Sequence, residues 1–284
     1  MKKREGKFSG AKGLSIYYHY WEPDAQPRAI ILLVHGAGEH CGRYAHFARY
    51  LTDHGYAVVA LDHPGHGRSE GTPGHVERID DYLETLHTFH QQVVADFSGV
   101  PQILLGHSMG GLISSLYLLL HQQDFIGCIL SGPAIKMDIE PGMLQIYLIR
   151  FLSAVLPKAG VLQLDATGVS RDPAEVEKYV TDPLVFHGKM SARKVSELFK
   201  SMRHIQANAE KITLPMLLLH GGDDAMAAAE GSYFLHSRIS STDKTLKIYP
   251  GLYHEIFNEP EQQEIFADVL AWCNERTTAA RTLS

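Results

Sequence analysis

The sequence predicts an α/β fold, with a mostly parallel central sheet flanked by helices and a helical cap inserted between two of its strands. Three observations predict it. Short, continuous apolar runs alternate with segments of helical spacing over residues 1–132, the strand signal disappears over 133–208, and the alternation resumes over 209–284. Apolar runs without polar alternation suit strands buried on both faces of a parallel sheet.

In chain order, Leu14 to Trp21 mixes aromatic and polar positions as a sheet-edge strand does, and Pro23 ends it. Ala29 to Val34 is the first fully apolar run, stopped by His35-Gly36. Tyr44, Phe47, Ala48 and Leu51 then fall at helical spacing, Gly55 is placed to end that helix, and Ala57 to Leu61 is the next buried strand. A helix over about 79–97, a strand at Ile103 to Leu105, a helix after Gly110-Gly111 and a strand at Ile126 to Leu130 continue the pattern. From Pro133 to Asn208 helical segments are broken at Pro141, Pro157, Gly160, Pro173, Pro183 and Gly188. After Pro215 come a strand at Met216 to Leu219, a helix near Glu230 to Arg238, a strand at Thr245 to Tyr249 and a last helix after Pro260.

The totals exclude several function classes. With 284 residues, 45% hydrophobic and 20% charged, the chain can bury a large core and is far from the composition of disorder. A net charge of -6 provides no bulk positive field for phosphate backbones, so nucleic acid is not an expected partner. Cys41, Cys128 and Cys273 are odd in number and scattered, which suits a reducing, cytoplasmic setting. Met1-Lys2-Lys3-Arg4 is followed by Glu5, Gly6 and Lys7 where the apolar core of a secretion signal would begin. The longest greasy stretch, Met143 to Leu156, is interrupted by Gln145, Arg150 and Ser153 and is too short to span a bilayer. There is no His-Glu-x-x-His and no dinucleotide-binding glycine pattern, so neither metal nor cofactor is expected.

Gly106-His107-Ser108-Met109-Gly110 is a G-x-S-x-G between a buried strand and a helix. In that context the serine sits on a tight turn with its hydroxyl above the sheet, the nucleophile elbow of an α/β-hydrolase fold. Its base and acid follow in the order serine, acid, histidine. His254, in the loop after the strand ending at Tyr249, is placed to reach over the sheet edge as the base. The acid falls at Asp223 or Asp224 after Met216 to Leu219, one orienting His254 and the other capping the turn. Ala37 and Met109 N–H groups are the expected oxyanion hole, the first from the His35-Gly36-Ala37-Gly38 loop and the second from the helix start after Ser108.

These residues resemble the monoacylglycerol lipase family of the α/β-hydrolase superfamily, with related lysophospholipases close by. The resemblance covers most of the chain. It is carried by His35-Gly36-Ala37-Gly38-Glu39-His40 with Gly42-Arg43-Tyr44, by Asp62-His63-Pro64-Gly65-His66-Gly67-Arg68-Ser69, by Gly106 to Gly111, by Asp182-Pro183-Leu184, by Leu219 to Asp224 and by Tyr253-His254-Glu255. It implies Asp224 as the acid, although Ala225 stands where a basic residue often sits. It implies a glycerol-binding end at Glu39, Arg43 and Tyr179. For Met143 to Leu156 it favours an acyl-tunnel wall and lipid-touching lid, with Ile149 and Leu152 toward the lipid, over simple burial between cap and core. The implied activity is release of a fatty acid and glycerol from a monoacylglycerol through an acyl-enzyme, without a cofactor. A lysophospholipase or general carboxylesterase is the alternative. Haloalkane dehalogenases and epoxide hydrolases would carry an aspartate at Ser108, a haloperoxidase-like side activity would share the triad, and a non-catalytic receptor would not need three intact positions.

Overall fold

The computed structural model describes residues 1–136 and 142–283. Eight strands form one sheet in the order β1 (Lys2–Ser9), β2 (Ser15–Glu22), β4 (Ala57–Leu61), β3 (Ile30–Val34), β5 (Gln102–His107), β6 (Gly127–Ser131), β9 (Met216–Gly221), β10 (Lys244–Tyr249). From β4 to β10 every neighbour pair is parallel, while β1 with β2 and β2 with β4 are antiparallel. This is the α/β-hydrolase fold. Every residue of β3, β4, β5, β6 and β9 is buried, which is why those strands read as unbroken apolar runs.

Helices cover both faces. One core layer forms between the sheet and α2 (Ile79–Asp96) with α3 (Met109–His121), and the other between the sheet and α1 (Ala45–Asp53) with α8 (Gln262–Leu283). α7 (Ala229–Arg238) joins β9 to β10. The described residues between β6 and β9 contribute nothing to the large sheet. They form α4 (Met143–Val155), α5 (Pro173–Thr181) and α6 (Ala192–Gln206), and a two-stranded ribbon of β7 (Gly160–Leu162) with β8 (Met190–Ser191). The ribbon departs from the all-helical expectation for this stretch because its strands are too short to carry a periodic signal. The break expected at Pro141 lies outside the described residues.

Leu14 to Trp21 is not the sheet edge. Lys2–Ser9 pairs with it in full register and takes the edge, and its charged, exposed residues hide the strand from an apolar pattern search. Chain order reverses between β3 and β5, since β3 leads to β4 on one side and β5 opens the other. Crevices form at the carboxyl ends of strands at such a switch point. The loop after β3 and the turn after β5 therefore face each other across one crevice.

Helix α3 lies close enough to β3 that a Cβ on Gly110 would sit 2.0 Å from the Val34 carbonyl oxygen. Gly110→Ala should accordingly cost about 3 kcal/mol, because backbone cannot yield as a side-chain tip does. Urea denaturation followed by circular dichroism measures it, and a loss under about 1 kcal/mol would contradict the close approach.

Candidate active site

Ser108 occupies the turn between β5 and α3 at φ 53°, ψ −120°, a left-handed conformation that a non-glycine residue adopts only when its surroundings force it. The forcing is visible on both sides. Ser108 N–H donates to the Ser131 carbonyl at 3.0 Å, and its own carbonyl accepts from Leu112 and Ala134 N–H groups at 3.1 and 3.0 Å. The hydroxyl is thereby presented above the sheet.

Ser108 Oγ donates to His254 Nε2 at 2.8 Å, and His254 Nδ1–H donates to Asp224 Oδ2 at 2.6 Å. Asp224 Oδ1 accepts the N–H groups of Met226 and Ala227 at 2.8 and 2.9 Å, and His220 Nε2 stands 3.1 Å from Oδ2. Burial alone would raise this carboxyl, but the His254 charge and the hydrogen bonds from His220 and His254 hold it well below the ordinary range. For His254 burial works against the charged ring, and Asp224 overcomes it, so its pKa lies above the usual imidazole value. Asp223 is exposed and, among the described residues, only its N–H is engaged, with the Leu252 carbonyl at 3.0 Å. Gly132, at φ 49°, leaves room for the pair, since a Cβ there would meet His254 Nδ1 at 3.3 Å and Asp224 Oδ2 at 3.4 Å.

Ala37 and Met109 line the same cavity as Ser108 and His254. Met109 is the first residue of α3, so its N–H has no partner within the helix and carries the helix's partial positive charge. The loop bearing Ala37 is pinned by Glu39, which accepts Gly36 N–H at 2.6 Å and the Tyr44 hydroxyl at 2.7 Å through one oxygen. His35 fastens it from below, donating from Nδ1 to the Gly36 carbonyl at 2.8 Å while Nε2 accepts His63 N–H at 2.9 Å. That pattern fixes one neutral tautomer, and burial lowers the ring's pKa accordingly. His107, beside His254, is also neutral, pushed down to about 4 by burial and by the neighbouring His254 charge.

Arg43 departs from its expected place. It does not line the Ser108 cavity, whereas Glu39 and Tyr179 do. Its guanidinium donates in parallel to both Glu255 oxygens at 2.6 Å and once to Glu39 Oε2 at 3.0 Å, and lies 4.7 Å from the Tyr179 ring centroid. Two carboxylates take three of its five N–H donors and an aromatic ring covers one face, so its charge is already engaged within the protein. Tyr179 is different, since its ring is buried but its hydroxyl has no hydrogen-bond partner among the described residues. Ile149 and Leu152 also depart from expectation, for neither lines the cavity. Both are half-buried, Ser153 beside them is fully covered, and α4 packs on α6 there. The apolar residues that α4 exposes are instead Leu144, Tyr147, Leu148, Phe151 and Val155.

Sequence reasoning assigned no part to Glu255 or His220, although both stand in the segments it singled out. No local signal gives Glu255 its role, because its partner Arg43 is 212 positions away.

A family pattern described as "Serine aminopeptidase, S33" matches residues 25–261. The chain is 39% identical to the monoacylglycerol lipase of Mycolicibacterium smegmatis over 95% of this chain and 96% of that one, and 36% identical to the monoglyceride lipase of Rattus norvegicus over 95% and 90%. The chain belongs to the monoacylglycerol lipase family. Among solved structures, the monoacylglycerol lipase of Paleococcus ferrophilus superposes with a TM-score of 0.81 at 30% identity, covering 97% of this chain and 100% of that one. A member of this family is a serine hydrolase, and the departure at Ala225 does not strip the acid of support, since Met226 N–H, Ala227 N–H and His220 hold it.

A base must be neutral to accept a proton, and the raised pKa of His254 means it remains charged somewhat above pH 6.5. The acid limb of kcat/KM should therefore have its midpoint above 6.5, with activity rising as pH increases through it. Asp224→Asn should move that limb to lower pH and cost roughly 10⁴-fold in kcat, whereas Asp223→Asn leaves both nearly unchanged. Steady-state rates across pH decide, and the opposite ranking would transfer the acid to Asp223.

Proposed function

We propose that this protein hydrolyses monoacylglycerols to a fatty acid and glycerol, with Ser108, His254 and Asp224 as its triad. The single observation that carries the proposal is the unbroken chain from Ser108 Oγ to His254 to Asp224, 2.8 and 2.6 Å long, at the end of a cavity walled by apolar side chains. In this reading residues 1–132 and 209–284 are the catalytic core, and 133–208 the cap that supplies most of those walls.

Ser108 Oγ attacks the ester carbonyl as His254 Nε2 takes its proton, and the oxyanion is held by Ala37 and Met109 N–H groups. Collapse of that intermediate expels the alcohol, which leaves with the proton from His254. Water then gives its proton to His254, adds to the acyl-enzyme and releases the acid, restoring Ser108. Asp224 keeps His254 in the productive tautomer and stabilises its charge in both halves.

The cavity chemistry supports an ester with a greasy acyl part. Leu162, Leu164, Val195, Leu198, Phe199 and Met202 lie along it, and the polar end carries Glu39, Glu255 and the Tyr179 hydroxyl. An aminopeptidase would need a carboxylate free to receive the substrate's ammonium group. Glu39 and Glu255 are both hydrogen-bonded to Arg43 rather than free, which disfavours that reaction here. At about 80 Å³ the cavity is well below the roughly 300 Å³ at which ordinary ligand sites begin. A long acyl chain therefore enters only if the cap helices shift or Met190, Met202 and Met226 swing aside. The exposed apolar side of α4 would meet lipid surfaces transiently, from a cytoplasmic setting suggested by the odd, scattered cysteines. No helix among the described residues is long and apolar enough to cross a membrane.

Ser108→Ala should retain the fold and lower kcat by roughly 10⁴-fold or more. On the intact enzyme, monoacylglycerol should be preferred over lysophosphatidylcholine and diacylglycerol, and Tyr179→Phe should weaken that preference while sparing simple short-chain esters. Equal or better kcat/KM on lysophosphatidylcholine would replace the assignment with a lysophospholipase. Leu148→Asp with Phe151→Asp should reduce activity on dispersed long-chain esters far more than on soluble short ones. Equal loss on both would remove the lipid-contact role of α4.

A further inference from the structure

On the side of the cap away from Ser108, the core helices α2 and α3 meet the cap helices α4 and α6 around an open groove of about 570 Å³. Its floor is apolar, formed by Leu83, Leu116 and Leu119, and Leu120 beside them is 71% exposed. Its rim is cationic. Arg150 projects from α4, and Lys200 and Arg203 from α6. Among the described residues Arg150 and Arg203 form no ion pair, and Lys200, with 73% of its side chain exposed, has only the loose contact to Glu197 at 3.8 Å. The acid on this rim, Asp80, is engaged by Arg78 at 2.9 Å.

In a chain of net charge -6 this is a local reversal of sign laid over an apolar floor. The complement of such a surface is an anion attached to hydrocarbon. Arg150 also flanks the exposed side of α4 that carries Tyr147, Leu148 and Phe151, so groove and apolar side face one surface together. We propose that the groove is a docking site for anionic phospholipid at a bilayer surface. The headgroup phosphate sits among Arg150, Lys200 and Arg203, and the upper methylenes of its chain lie on the leucine floor. The inference rests on the reading of α4 as lipid-facing and names the lipid class that this face selects. Each basic residue near an anionic bilayer strengthens binding by about fivefold.

The test is co-sedimentation of the whole protein with vesicles of phosphatidylcholine alone and with admixed phosphatidylglycerol, at low and high salt. Wild type should bind the anionic vesicles about tenfold or more tightly than the neutral ones, with the excess lost at high salt. The triple variant Arg150→Gln, Lys200→Gln, Arg203→Gln should bind both vesicle types as wild type binds the neutral one, with its rate on a soluble short-chain ester unchanged. Equal wild-type binding to both vesicles, or a triple variant still selective for the anionic ones, overturns the groove while leaving the α4 reading intact. Binding to neither vesicle overturns both. Self-association in lipid-free solution that the triple variant abolishes would also overturn the proposal and give the groove to a second copy of the chain.

Discussion

The site is organised around one buried cation. Arg43 is held in parallel by Glu255 and a third time by Glu39, with Tyr179 stacked over it, and these four side chains come from the segment after β3, the loop after β10 and helix α5. Taking three ionised groups out of water is expensive, and it is tolerable only because the geometry is bidentate and the spare oxygens are filled. They are filled by Gly36 N–H, Tyr44 and Asn258. Burial alone would raise the Glu39 carboxyl, yet the Arg43 charge keeps it well below the ordinary range, so the pair stays ionised at any working pH. Without the guanidinium, two carboxylates would face each other dry, and the loop carrying Ala37 and the residue next to His254 would both lose their anchor.

Around that anchor the backbone is shaped by close approach. Ser108 is left-handed because the end of β6, the loop after it and the first turn of α3 all bond to its peptide groups, and glycines at 106 and 110 remove the Cβ atoms that would block the turn. The strand order then does the rest. Since β3 and β5 are neighbours at the point where chain order reverses, the Ala37 loop and the Met109 N–H converge without any long excursion of the chain. Strain at Ser108 is thus carried by the packing of the whole sheet.

How much of this is legible in the sequence follows from what each residue's placement depends on. Strands β3, β4, β5, β6 and β9 are buried on both faces, so their apolar runs give them away to within a few residues. The strand at Lys2–Ser9 is an exposed edge whose charges are what keep other chains from pairing with it, and those same charges conceal it. Ser108 and His254 follow from chain order and turn chemistry. The choice of Asp224 over Asp223 depends on which of two adjacent carboxylates turns inward, which no one-dimensional pattern contains. Arg43 shows the limit most clearly: its type and loop suggest a ligand contact, and only the fold reveals that Glu255 already occupies it.

Helix α6 ties the chemistry to the outer surface. Val195, Leu198, Phe199 and Met202 recur at helical spacing along the side that walls the cavity, while Lys200 and Arg203 occupy its outer rim. Near its first turn the fully buried Lys194 reaches into the core, its ammonium 3.2 Å from His66 Nε2, where burial pushes its pKa down to about 7. His66 donates through Nδ1 to the Pro64 carbonyl, leaving Nε2 to accept. That contact fixes the N-terminal end of α6 beneath the loop His35 supports. The other end is anchored too, for Ile205 is fully buried in the core and Gln206 donates to the Ile135 carbonyl at 2.7 Å. Cavity wall and basic rim are therefore two sides of one helix held at both ends.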